Sequence, residues 1–148
     1  MMLRQLQLAD MDAAARVHRA AFDHALPWLA GLHTPQEDQW FFRERVFTAC
    51  ELWGAFDDAE LIGLIAFRAD WIDQLYVLPN VQRRGIGSAL LQKAKDTFAR
   101  LHLWTFQRNQ PARRFYQARG FVLVRETDGA GNEEREPDAL YLWTRDRA

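Results

Sequence analysis

The stretch VLPNVQRRGIGS at residues 77–88 constrains this chain more than any other segment. It reads as the end of a strand, a Pro/Asn turn, two arginines, two glycines and then the start of a helix. Glycines let a backbone approach a phosphate closely, and the following helix offers unpaired N–H donors with a partial positive charge. The stretch therefore predicts an anion-binding turn whose ligand is a phosphorylated cofactor.

A turn with two glycines has other interpretations, and the neighbouring residues exclude two of them. A dinucleotide fingerprint needs a third glycine where Leu90 stands and an acidic residue about 20 positions further on, and the chain has neither. A P-loop needs a lysine after the second glycine, whereas Ser88 follows Gly87 directly. A cofactor phosphate and a plain strand-to-helix turn without a ligand remain open.

The composition predicts one soluble domain over residues 1–148. Apolar residues make up 49% of the chain, which is enough for a single core at this length. The formal net charge of −1 provides no bulk attraction to nucleic acid or to an anionic membrane. Cys50 is the only cysteine, and the N-terminus lacks the apolar core of a signal peptide. We therefore expect a cytoplasmic protein that binds neither nucleic acid nor a membrane.

Apolar periodicity predicts alternating strands and helices along the chain. A capping box at residues 34–37 starts one helix, with Pro35 at its first position. Strands are predicted at residues 3–8, 51–56, 61–68, 71–77, 101–106, 121–125 and 140–143. Helices are predicted after Asp10 and at residues 34–47, 85–100 and 109–120. This order is typical of one mixed sheet with helices on its faces.

Two sequence motifs, one at the glycine turn and one further along the chain, resemble those of the Gcn5-related N-acetyltransferase (GNAT) family. QRRGIG at residues 82–87 matches the family signature Gln/Arg-x-x-Gly-x-Gly/Ala, and LYVLP at residues 75–79 is similar to the family's fourth strand and its exit. Asn109 and the segment ARRFYQARGF at residues 112–121 resemble the second motif. The resemblance implies an α/β fold (α+β in some schemes) of one domain. Its mixed, mostly antiparallel sheet would have six to seven strands, with helices on both faces.

The same resemblance implies an enzyme that uses acetyl-CoA as co-substrate. It would transfer the acetyl group directly to a primary amine in a ternary complex, the acceptor being a small molecule or a peptide. A non-catalytic acyl-CoA-binding or sensing module on the same fold is the alternative. A structural interaction domain with exposed aromatic residues is a third interpretation, but it does not explain the glycine turn. No metal is expected, and the last strands of this family often pair in homodimers.

The resemblance also implies which residues hold the cofactor. The amides of the turn would hold the pyrophosphate, and the end of the fourth strand would bind the pantetheine arm and polarise the thioester carbonyl. The implied cofactor-binding residues are Leu75, Tyr76, Val77, Gln82, Arg83, Arg84, Gly85, Ile86, Gly87, Ser88, Asn109 and Tyr116. Arg113 and Arg114 could reach the cofactor too, or simply lie on a solvated helix face.

Two residues are expected to move protons. Tyr116 matches the family's general acid, because a phenol is protonated at neutral pH and can donate to the leaving thiolate. Asp73 is the candidate general base, and the two-residue period of a strand places it on one face with Leu75 and Val77. Each also has a purely structural interpretation, as a packed tyrosine ring and as a carboxylate at the rim.

The acceptor is expected at the connection between the first two helices. Trp28 and His33 lie there in a Pro/Gly-bounded segment that would form a mobile aromatic pocket, and the resemblance implies that they bind substrate. The acidic loop at residues 126–138 could attract a cationic acceptor, or could be a solvated hairpin tip. A lone cysteine is usually a small buried residue, so Cys50 is not favoured as an acyl carrier.

Overall fold

A seven-stranded sheet forms the centre of the computed structural model, which describes residues 1–145. The strand order is β1-β2-β3-β4-β5-β7-β6. The strands are β1 (Met2–Gln5), β2 (Glu51–Asp57), β3 (Glu60–Arg68), β4 (Trp71–Val77), β5 (Arg100–Phe106), β6 (Val122–Thr127) and β7 (Asp138–Thr144). All neighbouring pairs are antiparallel except β4 and β5, so the expected mixed and mostly antiparallel sheet is confirmed.

Helices cover both faces of the sheet, as expected for this α/β class. They are α1 (Met11–Ala25), α2 (Pro35–Phe41), α3 (Phe47–Ala49), α4 (Ile86–Thr97) and α5 (Gln110–Ala118). A π-helical turn at Phe42–Val46 joins α2 to α3, and short 3-10 turns lie at Leu8–Asp10, Pro27–Leu29 and Pro79–Val81. None of the helices within residues 1–145 is long and apolar enough to cross a membrane.

Two buried clusters attach these helices to the sheet. On one face, Ile86, Leu90 and Ala94 of α4 pack with Tyr116 of α5 against the central strands. On the other face, α1 and the π-helical turn pack through residues such as Met11 and Phe42. Burial of these side chains provides most of the driving force for the layered arrangement. We call these the α4 face and the α1 face of the sheet.

Strands β4 and β5 are paired at one end and separate toward the other. Their parallel pairing joins them only at Trp71 and His102, where the two rings stack at 4.9 Å. The carbonyl of Asp70 accepts the His102 N–H at 2.7 Å at the same end, and Arg100 pairs with the Asp70 carboxylate at 3.0 Å. The carboxyl ends of both strands therefore present unpaired backbone toward each other, and a cleft opens between them.

Most predicted element boundaries agree with the structure, and three differ for local reasons. The first strand ends at Gln5 because the chain turns into a 3-10 helix at Leu8. Asp10 precedes α1, but its carboxylate accepts the Gln7 N–H and binds Arg4 instead of capping α1. Helix α4 ends at Thr97, since the next residue adopts an extended backbone on its way to β5. The capping box of α2 is present as predicted.

Candidate active site

A cavity of about 1350 Å³ opens where β4 and β5 separate. Its lining comes from the ends of both strands, the turn before α4, helix α5, the end of α1 and the loop between β6 and β7. These parts lie far apart in the sequence, and the cleft in the sheet brings them together.

The turn before α4 forms an open cradle of backbone amides. Arg83 and Gly85 both have left-handed backbones, with φ of 68° and 79°. Gly85 occupies the N-cap position of α4, and no side chain among the described residues caps this helix end. The first amides of α4 therefore remain available to a ligand, and the helix dipole favours an anion there. Gln82 anchors the turn, because its Nε2 donates to the Val77 carbonyl at 3.0 Å.

The two glycines of this turn are needed for different reasons. A Cβ atom on Gly85 would meet nothing within 4 Å, so the positive φ is what favours glycine there. A Cβ atom on Gly87 would lie 3.1 Å from Cζ of Phe115, which is tighter than normal packing allows. Gly87 thus lets the first turn of α4 approach α5 closely, and both helices border the cavity.

Arginines lie beside the cradle, and one of them, Arg119, was not predicted from the sequence. Arg83, Arg114 and Arg119 line the cavity. Arg119 donates to the Ser88 hydroxyl at 2.7 Å and to the Phe115 carbonyl at 3.0 Å, and its guanidinium stacks 3.8 Å from the Phe115 ring centre. The spacing of four residues between Phe115 and Arg119, one helical turn, was the available signal.

Two other arginines of this region lie elsewhere. Arg84 is exposed and does not line the cavity. Arg113 turns away from the cavity toward β6 and β7, where it donates to the Tyr141 hydroxyl at 2.8 Å and pairs with Glu126 at 3.0 Å. Arg113 therefore holds α5 on the sheet. The next residue of α5, Arg114, borders the cavity instead.

The end of β4 presents its backbone to the cavity. Leu75, Tyr76 and Val77 pair with β3 along one edge, while the other edge faces the cleft. Leu75 and Val77 pack on the α4 face. The Tyr76 ring lies on the α1 face, where it meets His18 edge-on at 4.7 Å. The free edge offers N–H and C=O groups to an extended ligand.

Asn109 and Tyr116 bring α5 to the same cavity. Asn109 caps this helix, because its side-chain oxygen accepts the Ala112 N–H at 3.3 Å, and it also borders the cavity. The Tyr116 ring packs against Phe115 and Phe121 and is 8% exposed. Burial raises the pKa of Tyr116, and so does nearby Tyr76. The phenol therefore keeps its proton at neutral pH and can act as a donor.

Asp73 does not lie where the strand period predicts, because β4 contains a bulge. Ile72 pairs with Phe67, and the next paired residue of β4 is Gln74, opposite Ala66. Asp73 is the extra residue between them. A bulge of this kind shifts the alternation of side chains by one position. The predicted placement of Asp73 on one face with the last residues of β4 is therefore wrong.

The Asp73 carboxylate is instead held by residues of the α1 face. Its Oδ2 accepts a hydrogen bond from Arg68 Nε at 2.7 Å and one from the Cys50 thiol at 3.4 Å. Cys50 packs against the α1 cluster, whereas Leu75 and Val77 pack against the α4 cluster. Asp73 still borders the cavity, since the bulge lies at the base of the cleft.

Cys50 is a weak nucleophile in this setting. Burial, and then the neighbouring Asp73 carboxylate, raises the pKa of the Cys50 thiol to about 12. A thiol with such a pKa contains almost no thiolate at neutral pH. Cys50 is therefore poorly suited to carry an acyl group.

Trp28 and His33 lie outside the lining of the cavity, in contacts with the β6–β7 loop. The Trp28 indole N–H donates to Glu136 Oε1 at 3.0 Å, and Arg108 lies 3.9 Å over the indole ring. His33 Nε2 lies 2.6 Å from Glu133 Oε1. The connection between α1 and α2 is thus fastened to the acidic loop.

The β6–β7 loop is not a solvated hairpin tip. Glu136 is 4% exposed and receives two hydrogen bonds from Arg108, each at 2.8 Å. These bonds lower the pKa of Glu136, with a smaller contribution from Trp28. The loop folds back over one end of the cavity, to which it contributes Asn132 and Glu134, and Asp138 at the start of β7 lines the same end.

The described residues 1–145 contain no group of three or more His, Cys, Asp or Glu side chains that could hold a metal ion. The polar groups of the cavity are instead backbone amides, arginines, a tyrosine and carboxylates. Such a set suits a polyanionic ligand at one end and a polar organic group at the other.

The chain is similar to known proteins both in sequence and in structure. The model of the acetyltransferase (GNAT) family matches residues 13–121. Among characterised sequences, the peptidyl-lysine N-acetyltransferase YiaC of Escherichia coli K12 is 35% identical over 103 residues, which cover 68% of either chain.

Solved structures share the whole architecture. The apo form of YjaB from Escherichia coli superposes with a TM-score of 0.79 at 18% identity and covers 96% of both chains. The PaiA N-acetyltransferase of Thermoplasma acidophilum, solved with coenzyme A, has a TM-score of 0.70 at 22% identity. That match covers 97% of this chain and 98% of the other.

Proposed function

Because this chain belongs to the GNAT family and is an N-acetyltransferase, we propose that it transfers the acetyl group of acetyl-CoA directly to a primary amine. Both substrates would occupy the cavity together, in a ternary complex. Holding the amine in line with the thioester would provide much of the rate.

The uncapped start of α4 is the observation that carries the donor assignment. Its free amides suit the pyrophosphate of coenzyme A. The left-handed backbones of Arg83 and Gly85 shape the turn that leads into them. Arg83, Arg114 and Arg119 border the same space and can bind the remaining phosphate charge. Coenzyme A bound in the similarly folded PaiA enzyme supports this choice of co-substrate.

The free edge of β4 would receive the pantetheine arm and the thioester. Its N–H groups can pair with the arm as a neighbouring strand would, and one of them can stabilise the oxyanion that forms on attack. Leu75, Tyr76 and Val77 would act here through the main chain. This role explains why the cleft between β4 and β5 lies next to the phosphate cradle.

Tyr116 would protonate the leaving group. As the amine attacks the carbonyl carbon, the carbon–sulfur bond breaks and the thiolate of coenzyme A takes the phenolic proton. Asp73 is the candidate acceptor of the amine proton. Arg68 and Cys50 occupy its Oδ2, so Oδ1 would receive the proton through a water molecule.

The acceptor would be a peptide or small-molecule amine, and the similarity to a peptidyl-lysine N-acetyltransferase favours a lysine side chain. Trp28 and His33 would contribute by fixing the β6–β7 loop beside the acceptor instead of touching it. We also propose a cytoplasmic location, because acetyl-CoA is an intracellular metabolite.

A homodimer through β6 is part of the proposal. This strand lies at the edge of the sheet, and Leu123 and Val124 are 45% and 50% exposed on it. An exposed apolar edge strand favours pairing with a second copy. Light scattering after gel filtration should give twice the monomer mass for wild type, and the monomer mass for the Leu123→Lys variant. A wild-type monomer at high concentration would rule out this interface.

Thiol release from acetyl-CoA in the presence of a lysine peptide tests the central proposal. We expect Tyr116→Phe to lower kcat by about a hundredfold, the usual size of a general-acid contribution. Tyr141→Phe is the matched control, since its hydroxyl bonds to Arg113 and Gln117 away from the cavity. Equal turnover in both variants would remove Tyr116 from the acid role. Absence of an acetyl-CoA-dependent rise in Tm would contradict the donor assignment.

A further inference from the structure

Among residues 1–145, three carboxylates border the cavity, and two of them are occupied by protein partners. Asp73 binds Arg68 through Oδ2, and Asp138 binds the Thr127 hydroxyl and the Asn132 side-chain amide. Glu134 is the third, and it forms no side-chain hydrogen bond or ion pair with any of residues 1–145. Glu134 is therefore the carboxylate of this lining that is free to pair with a cationic ligand.

Two anchors on either side of Glu134 hold it in place. On one side, Asn132 accepts the Glu136 N–H at 3.2 Å and donates to the Glu136 carbonyl at 2.8 Å. On the other side, the Glu136 carboxylate is clamped by Arg108 and Trp28. The short segment between these anchors therefore presents Glu134 to the cavity from a defined position.

Glu134 shares the lining of the cavity with Tyr116 and with Tyr76 at the end of β4. Burial raises the pKa of Tyr76, and the negative charge of Glu134 contributes to the same shift. The lining therefore connects the proposed acid, past the end of β4, with Glu134 on the acceptor side.

The cations of the cavity do not neutralise Glu134. Arg83, Arg114 and Arg119 lie around the phosphate cradle, and Arg119 is engaged with Ser88. Arg125 stands 5.1 Å over the Trp104 ring and forms no ion pair with Glu134. Glu134 is therefore a carboxylate of the cavity lining that has no cationic partner among residues 1–145.

We propose that Glu134 binds the ammonium group of the acceptor amine and selects a lysine-type acceptor, whose amine lies far from any carboxylate. This inference rests on the proposed function, since an amine acceptor must enter the cavity. An alkylamine is a cation in solution, and a carboxylate receives its N–H groups in charge-assisted hydrogen bonds. The same charge would repel an amine with an adjacent carboxylate, such as the α-amino group of a free amino acid.

Glu134→Gln tests this role, with Glu126→Gln as the matched control. Glu126 belongs to β6, pairs with Arg113 and does not line the cavity. With a blocked peptide that contains a single lysine, we expect Glu134→Gln to raise the acceptor KM at least about tenfold. The KM for acetyl-CoA should not change, and Glu126→Gln should behave as wild type. An unchanged acceptor KM in Glu134→Gln would overturn the assignment.

A binding measurement separates this inference from the proposed function. The same peptide is titrated calorimetrically into enzyme saturated with coenzyme A, so that no turnover is required. Wild type and Glu126→Gln should bind it with equal Kd, and Glu134→Gln at least about tenfold more weakly. Equal binding by all three proteins, or none by wild type, would overturn the role of Glu134. Normal binding by wild type without acetyl transfer would contradict the proposed function alone.

Discussion

Arg119 donates its Nε–H to the Ser88 hydroxyl at 2.7 Å, which ties the end of α5 to the first turn of α4. The same guanidinium reaches the Phe115 carbonyl and covers the Phe115 ring. The ring in turn lies against Gly87. One arginine therefore locks together the two helices that border the phosphate cradle, and places its charge beside the free amides of α4.

Replacement of Arg119 should weaken cofactor binding. Arg119→Ala removes a cation from the cradle and releases Ser88, so we expect the Kd for acetyl-CoA to rise about tenfold in calorimetric titration. Arg100→Ala is a suitable control, because Arg100 pairs with Asp70 at the joined end of β4 and β5. The same Kd for both variants would show that Arg119 acts only in packing.

Gly87→Val should also reduce acetyl-CoA affinity, for a steric reason. Its branched side chain would collide with the Phe115 ring, which already lies 3.1 Å from the position of a Cβ atom. We expect α4 and α5 to separate and the cradle to lose its shape. Gly31→Ala provides the comparison, since it introduces strain at a φ of 85° but touches nothing within 4 Å. The control should lose some stability and keep its affinity for acetyl-CoA. Full acetyl-CoA affinity in Gly87→Val would show that the turn only connects β4 to α4.

Glu136→Gln should loosen the β6–β7 loop. The substitution removes the charge that Arg108 and Trp28 share, and we expect it to lower the free energy of unfolding by about 1–2 kcal/mol. The acceptor KM should rise as well, because Glu134 would lose its fixed position. Thermal denaturation and steady-state kinetics check the two effects. A normal acceptor KM in a destabilised variant would mean that the loop does not position the acceptor.

His18 should make the protein sensitive to acid. Burial, and then Arg19, lowers the pKa of His18 from 6.5 to about 4, and its buried Nδ1 has no hydrogen-bond partner within the described part of the chain. The unfolded chain takes up a proton below pH 6.5, but the folded protein does so only near pH 4. Stability should therefore fall as the pH decreases through this window, by about 3 kcal/mol from this residue.

His18→Phe should remove that contribution, since a phenyl ring suits the neighbouring Phe22, Phe42 and Tyr76. Urea denaturation of both proteins at pH 7 and pH 4.5 measures the difference. We expect the variant to gain stability relative to wild type at the lower pH. Parallel pH dependence in the two proteins would show that folding does not lower the pKa of His18.

Local sequence patterns were sufficient for the elements and for the turn before α4. The capping box at Thr34 and the glycines at 85 and 87 each depend on neighbours within a few residues. The position of Asp73 could not be read in the same way. Its bulge depends on how β4 pairs with β3, and pairing between strands is not encoded in one strand alone.

The sequence by itself predicted the turn at residues 82–88 as the anion-binding candidate, because left-handed residues and an uncapped helix start are local properties. Only the tertiary structure decided what faces this turn across the cavity. Arg119 reaches Ser88 across 31 positions and Trp28 reaches Glu136 across 108. Contacts of this range arise from helix packing and from the cleft between β4 and β5, so Glu134 becomes a candidate only once the chain is folded.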